Sequence, residues 1–91
     1  MPFDWDEQKA AENLLKHRVS FDEAETVFDD PLYVDFYDPD HSIGEQRFII
    51  VGESAHGRLL MVSYTERDDI TRLISARELT PAERKKYEEG E

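Results

Sequence analysis

Residues 59–77 read as two β-strands joined by the acidic pair Asp68 and Asp69, with Arg67, Arg72 and Arg77 at or beside the strands. A guanidinium offers a planar fork of donors that matches phosphate and carboxylate geometry. Three of them in an acidic chain need an answering anion, either a ligand or internal carboxylates. Glu66 stands at the rim of the arginines, and His17 lies upstream with an imidazole that titrates near pH 6.5 when unperturbed, to about half a unit. Cations beside a carboxylate can grip an oxyanion such as a phosphate, and an imidazole can move a proton near neutral pH. The plain alternative is a solvated sheet whose arginines pair with Glu66, Asp68, Asp69 or Glu78, contacts that stabilise little.

The elements that must position these groups follow from periodicity and caps. Residues 3–18 read as a helix, with Asp6 as N-cap and Ala10, Leu14 and His17 on one stripe. Ser20 and Glu23 form a capping-box pattern for a second helix over 21–28. Pro31 ends that segment. Strands are expected over 32–37, 46–51, 58–66 and 70–77, separated by turn-rich loops. Thr80, Pro81 and Glu83 begin a last helix, stopped by Gly90. The order gives an α+β domain: a four-stranded antiparallel sheet with two N-terminal helices and one C-terminal helix.

Register decides which arginines act together. A three-residue loop sets Arg67 opposite Thr71 and places Leu60, Val62, Tyr64, Ile74 and Ala76 on one face. The other face then carries Ser63, Thr65, Arg67, Thr71, Ser75 and Arg77. A two-residue loop mixes apolar and polar residues on both faces, so burial favours the longer loop. This reading brings Arg67 and Arg77 onto one basic patch.

Composition narrows the class. The 91 residues form one domain, 1–91, large enough for a modest core. There is no cysteine, which excludes disulfides and thiolate metal sites. The N-terminal stretch is acidic and poor in apolar residues, unlike a signal peptide, so a cytoplasmic location is expected. Net charge is −11. Residues 1–45 carry 13 acidic and 3 basic side chains; residues 46–91 carry 9 and 8. The first half repels polyanions, and the balance weighs against a general nucleic-acid binder. Asp38, Asp40 and His41 offer too few oxygens for a hard metal and sit among turn residues, so neither metal nor cofactor is expected.

The N-terminal half resembles the BrnT family of toxins, whose pattern is W-x₃-K-x₃-N-x₂-K-H-x-V-S-F-x-E-A-x₂-V-F-x-D-P. Trp5, Lys9, Asn13, Lys16, His17, Val19, Ser20, Phe21, Glu23, Ala24, Val27, Phe28, Asp30 and Pro31 carry it. His41, Ser42, Glu45, Arg47, Gly52, Thr65, Arg67, the run 74–77, Glu83, Arg84 and Tyr87 fit further on. The resemblance implies a RelE-like fold and a ribonuclease toxin of a type II toxin–antitoxin module. It implies a BrnA-like antitoxin with a ribbon-helix-helix domain, through which the pair reaches operator DNA.

Within that expectation His17 is the base or acid and Glu66 the second proton-transfer group. Arg67 and Arg77 stabilise the phosphate. Lys9, Lys16, Arg47 and Thr65 position the RNA, and Lys9, Asn13 and Lys16 share a helical face. His17 has a plainer role as a cation at a helix C-terminus, and Arg47 has one as a structural ion pair. The negative net charge and Ile70, where many relatives are basic, point to weak RNA affinity. The alternative function is a non-catalytic acidic module that holds a basic antitoxin-like partner and modulates operator binding.

Overall fold

The computed structural model describes residues 2–90. Asp6 starts the first helix, α1 (Glu7–His17), by accepting from the N–H groups of Gln8 and Lys9 at 2.8 and 3.1 Å. The helix stops at Arg18, whose φ of 60° is left-handed and whose N–H donates to the Leu14 carbonyl. That conformation is costly for a residue with a Cβ, and it delivers Val19 straight into the core. Ser20 caps α2 (Phe21–Glu25) by accepting from the Glu23 N–H at 3.0 Å. The other half of the expected capping box does not form, because the Glu23 side chain turns inward to Arg58. The helix expected over 21–28 ends at Glu25 and tightens into a 3₁₀ turn, Thr26–Asp29.

The four expected strands form as β2 (Val34–Tyr37), β3 (Phe48–Glu53), β4 (Leu59–Arg67) and β5 (Ile70–Glu78). A further strand precedes them. β1 (Phe3–Asp4) pairs in parallel with Thr71 and Arg72 of β5, and the sheet becomes five-stranded and mixed, in the order β1-β5-β4-β3-β2. This corrects both the all-antiparallel sheet of four strands and the helix start at residue 3. Two residues carry no alternation of their own. Pairing makes them a strand, together with the Thr71 N–H donating to the Pro2 carbonyl at 3.0 Å.

The β4–β5 hairpin turns on Asp68 and Asp69 alone, with φ of 51° and 69°. Positive φ at both turn residues suits the right-handed twist of the strands. Near the turn Arg67 therefore faces Ile70, not Thr71. A bulge between Ser63 and Tyr64 then shifts the register by one, so Ser63 meets Ser75 and Met61 meets Arg77, as the longer loop had required. The bulge lets one hairpin keep a tight turn and a buried face. Leu73 takes the core place expected of Ile74, and Thr71 joins the buried side instead of the polar one.

α1 and α2 cover that face. Val19, Phe21, Ala24, Val27, Ile50, Leu60, Val62, Tyr64, Leu73 and Ala76 form the core, edged by Phe3, Trp5 and Phe28. Buried Asn13 closes the exposed edge of β5: its amide donates to the carbonyls of Ala76 and Val19 at 2.9 Å each and accepts from the Ala76 N–H at 3.0 Å. Asn13 is therefore a strand surrogate and not part of an RNA-facing stripe with Lys9 and Lys16. The third helix, α3 (Pro81–Glu88), starts at a complete capping box between Thr80 and Glu83. It crosses toward β2, where the Tyr87 hydroxyl donates to the Leu32 carbonyl at 3.1 Å. Val34 and Phe36 on the edge strand remain half exposed.

Candidate functional site

The hairpin tip gathers most of the expected chemistry. Thr65, Glu66 and Arg67 line an open groove of about 380 Å³ with Glu45, Gln46 and Phe48. The Arg67 guanidinium donates to the Glu45 carboxylate at 2.6 Å. Arg67 holds the Glu45 carboxyl below the usual carboxylate range, and the charge of Arg47 adds to the effect. Arg67 thus grips a carboxylate at the mouth of the groove. The Thr65 hydroxyl is buried and donates to the Gln46 carbonyl at 2.6 Å, which pins the chain before β3 onto β4. Burial and Asp35, whose carboxylate accepts from the Tyr64 hydroxyl at 3.2 Å, push the Tyr64 phenol up and keep it protonated.

The loop leading into this groove is tied into a ring. The Asp38 N–H donates to the Arg47 carbonyl at 2.9 Å. The Ser42 hydroxyl donates to the Asp38 carbonyl at 2.5 Å and accepts from the Arg47 N–H at 3.0 Å. Within the ring, His41 Nδ1 lies 2.9 Å from the Asp38 carboxylate while most of the ring faces solvent. Among the described residues no group of three or more His, Cys, Asp or Glu side chains is arranged to hold a metal ion.

Arg77 and His17 lie elsewhere. Arg77 shares the face of Arg67, but it pairs with Met61, six positions before Arg67 on β4, or roughly 20 Å of strand. Its guanidinium grips both oxygens of Glu83 at 2.8 and 3.0 Å and contacts the Met61 sulfur at 3.3 Å. With the Thr80 N–H it holds the Glu83 carboxyl at about 2. The single basic patch expected of Arg67 and Arg77 therefore does not form. His17 ends α1, and the neighbouring Arg18 carbonyl accepts from Arg58 at 2.9 Å. Arg58 precedes β4 by one residue, and nine positions, or roughly 30 Å, separate it from Arg67. His17 and Arg67 cannot reach one phosphate. Lys9 and Lys16 are exposed on α1, and Arg72 pairs with Asp4 at 3.2 Å.

A polar cluster at that far end has no trace in local sequence patterns. Buried Glu23 accepts from Arg58 at 2.5 and 3.0 Å and from the Ser54 hydroxyl at 2.7 Å, with His56 Nδ1 at 3.3 Å. Arg58 above all holds its carboxyl at about 2. Its members are 31 and 35 residues apart in sequence, and Glu23 reads there only as half of a capping box.

The family model described as "Ribonuclease toxin, BrnT, of type II toxin-antitoxin system" matches residues 5–83. The chain belongs to the BrnT family. The BrnT span opens at Trp5, packed edge-on against Phe21 at 5.8 Å, and closes at Glu83, the clamp on Arg77. Both ends of the BrnT match are thus residues that close the fold. A crystal structure of the Brucella abortus ribonuclease toxin BrnT is similar to this chain with a TM-score of 0.65 and 22% identity. The likeness covers 88% of this chain and 97% of that one, and it concerns the fold. No curated protein sequence matches.

Proposed function

We propose that this BrnT-family toxin cuts RNA without a metal ion at the β4–β5 tip and is neutralised by a ribbon-helix-helix antitoxin. The observation that carries the reading is Glu45, a carboxylate held by Arg67 and sensed by Arg47 at the mouth of a groove. That carboxylate stands where a phosphate of RNA would bind. Both ligands are oxyanions that present a pair of oxygens to a guanidinium fork. The Arg67–Glu45 pair is exposed, so a phosphate displaces it at small cost. Arg67 and Arg47 then hold the non-bridging oxygens, and exposed Glu66 beside them takes the 2′-hydroxyl proton. Thr65 serves indirectly by fixing Gln46. Lys9 and Lys16 attract the RNA from a distance, while Arg77 and His17 support the fold.

The antitoxin reading is supported by the net charge of −11, which favours a basic partner, and by the apolar residues left exposed on β2. No helix among the described residues is long and apolar enough to cross a membrane, in keeping with the cytoplasmic location proposed for such a module. Operator DNA is reached through the partner. One observation favours a second reading, an acidic binding module without catalysis: Arg67 and Arg77 are both already paired with carboxylates. Incubation of the purified chain with RNA in EDTA separates the two. Wild type is expected to cut, Arg67→Ala to cut about 100- to 1,000-fold more slowly, and Glu66→Gln to be similarly impaired. Intact RNA in the wild-type reaction leaves the binding module as the better account.

A further inference from the structure

Phosphodiester cleavage needs a proton donor for the leaving oxygen as well as a base, and the groove at the hairpin tip contains no imidazole of its own. We infer that His41, fixed by Asp38 on the loop ring that leads into the groove, is that donor; the inference rests on the ribonuclease reading.

Four features support it. The ring closed by Asp38, Ser42 and Arg47 holds the His41 backbone beside Arg47, whose chain neighbours Gln46 and Phe48 line the groove. The Asp38 carboxylate, 2.9 Å from Nδ1, accepts from that nitrogen, so the transferable proton is the one on Nε2. A carboxylate so placed fixes the orientation of the imidazole ring. Asp38 is itself held, because its other oxygen accepts from the Asp40 N–H at 3.2 Å and its side chain is largely buried. His41 is also mostly exposed, so substrate can reach it. The charged groups beside it on its own loop are Asp38 and Asp40; those lining the groove are Glu45, Glu66 and Arg67, and Arg47 stands in sequence between groove-lining Gln46 and Phe48. The other two histidines do not compete for the role. His17 and His56 sit at the opposite end of β4, by Arg58.

The step balances as an internal transfer. Glu66 takes the 2′-hydroxyl proton, and the 2′-oxygen forms a bond to phosphorus. The bond from phosphorus to the 5′-oxygen breaks, and that oxygen takes its proton from His41 Nε2. The products are a 2′,3′-cyclic phosphate and a free 5′-hydroxyl. Water then returns the proton from Glu66 and reprotonates His41.

The test measures cleavage of RNA in EDTA by wild type, His41→Ala, Asp38→Asn and His56→Ala across pH, with RNA affinity measured alongside. His41→Ala is expected to lose about 100-fold or more in rate, to bind RNA within a few-fold of wild type, and to lose the alkaline limb of the pH profile. Added imidazole restores part of the rate. Asp38→Asn is expected to lower the rate while RNA affinity stays within a few-fold of wild type, a split that loss of loop structure alone does not produce. His56→Ala behaves as wild type. Should wild type leave RNA intact, the ribonuclease reading and the donor role fall together. Should wild type cut while His41→Ala cuts as fast with an unchanged pH profile, the role of His41 alone is overturned.

Discussion

Arg67 and Arg77 are paired in different ways, and the difference assigns their roles. Glu45 meets Arg67 through one exposed contact. Glu83 meets Arg77 through two contacts and also accepts from the Thr80 N–H at 2.9 Å, so releasing Arg77 frays the start of α3. Glu45→Gln removes the internal competitor and leaves Arg67 free. Fluorescence anisotropy with a short single-stranded RNA is expected to show tighter binding by several-fold at low salt. Unchanged or weaker binding means that Glu45 does not occupy a phosphate site. Arg67, Glu66 and Thr65 were legible from the sequence as a chemical group because they are adjacent. Glu45 as the partner of Arg67 was not, since it lies 22 residues away across a loop that carries no periodicity. His41 reads in the sequence as one of a run of turn residues, because its link to Arg47 runs through Ser42 and appears only in three dimensions.

Among the elements, α2 is locked to the β3–β4 turn by buried Glu23 and Arg58. Arg58→Met leaves that carboxylate buried without its cation and is expected to cost about 3 to 5 kcal/mol in urea unfolding. The pH dependence has a definite sign. The Glu23 carboxyl sits at about 2 in the fold against a reference of 4.5, so the unfolded chain takes up its proton first as pH falls. The pair's contribution is intact above about pH 4.5 and is lost from there toward pH 2. Glu23→Gln should flatten the stability profile in that window, and an unchanged acid limb contradicts the assignment. Asn13→Ala strips Ala76 of both backbone partners, with an expected loss of about 1 to 3 kcal/mol for each group left bare. Local signals were readable at this scale. Asp6, Ser20 and Thr80 all cap helices as expected. The capping box is complete where Glu83 reaches Thr80 and Arg77 together, and incomplete where Arg58 draws Glu23 away. The hairpin register was legible beyond the bulge, where alternation is strict. Near the turn two signals conflict, because burial favours a longer loop while the twist of the strands favours a two-residue turn.

For the whole molecule, the layers of the fold followed from the apolar stripes, whereas β1 did not, because two residues become a strand only once β5 exists to pair with them. Charge governs how the molecule meets RNA. With a net charge of −11, Arg67 lining the groove and Arg47 between two of its lining residues, affinity should depend only weakly on salt, with a log–log slope of about −1.4 from roughly −0.7 per phosphate contact. A slope of −4 or steeper indicates an extended basic track that this surface lacks. The two ends of β4 give the sharpest contrast, since the tip carries Arg67 and the far end carries His17. The most direct measurement is the cleavage rate in EDTA of Arg67→Ala beside that of His17→Ala, both checked for native melting. The tip account predicts a loss of about 100-fold or more for Arg67→Ala and a rate within a few-fold of wild type for His17→Ala. A folded His17→Ala variant that no longer cuts, beside an active Arg67→Ala, would contradict it.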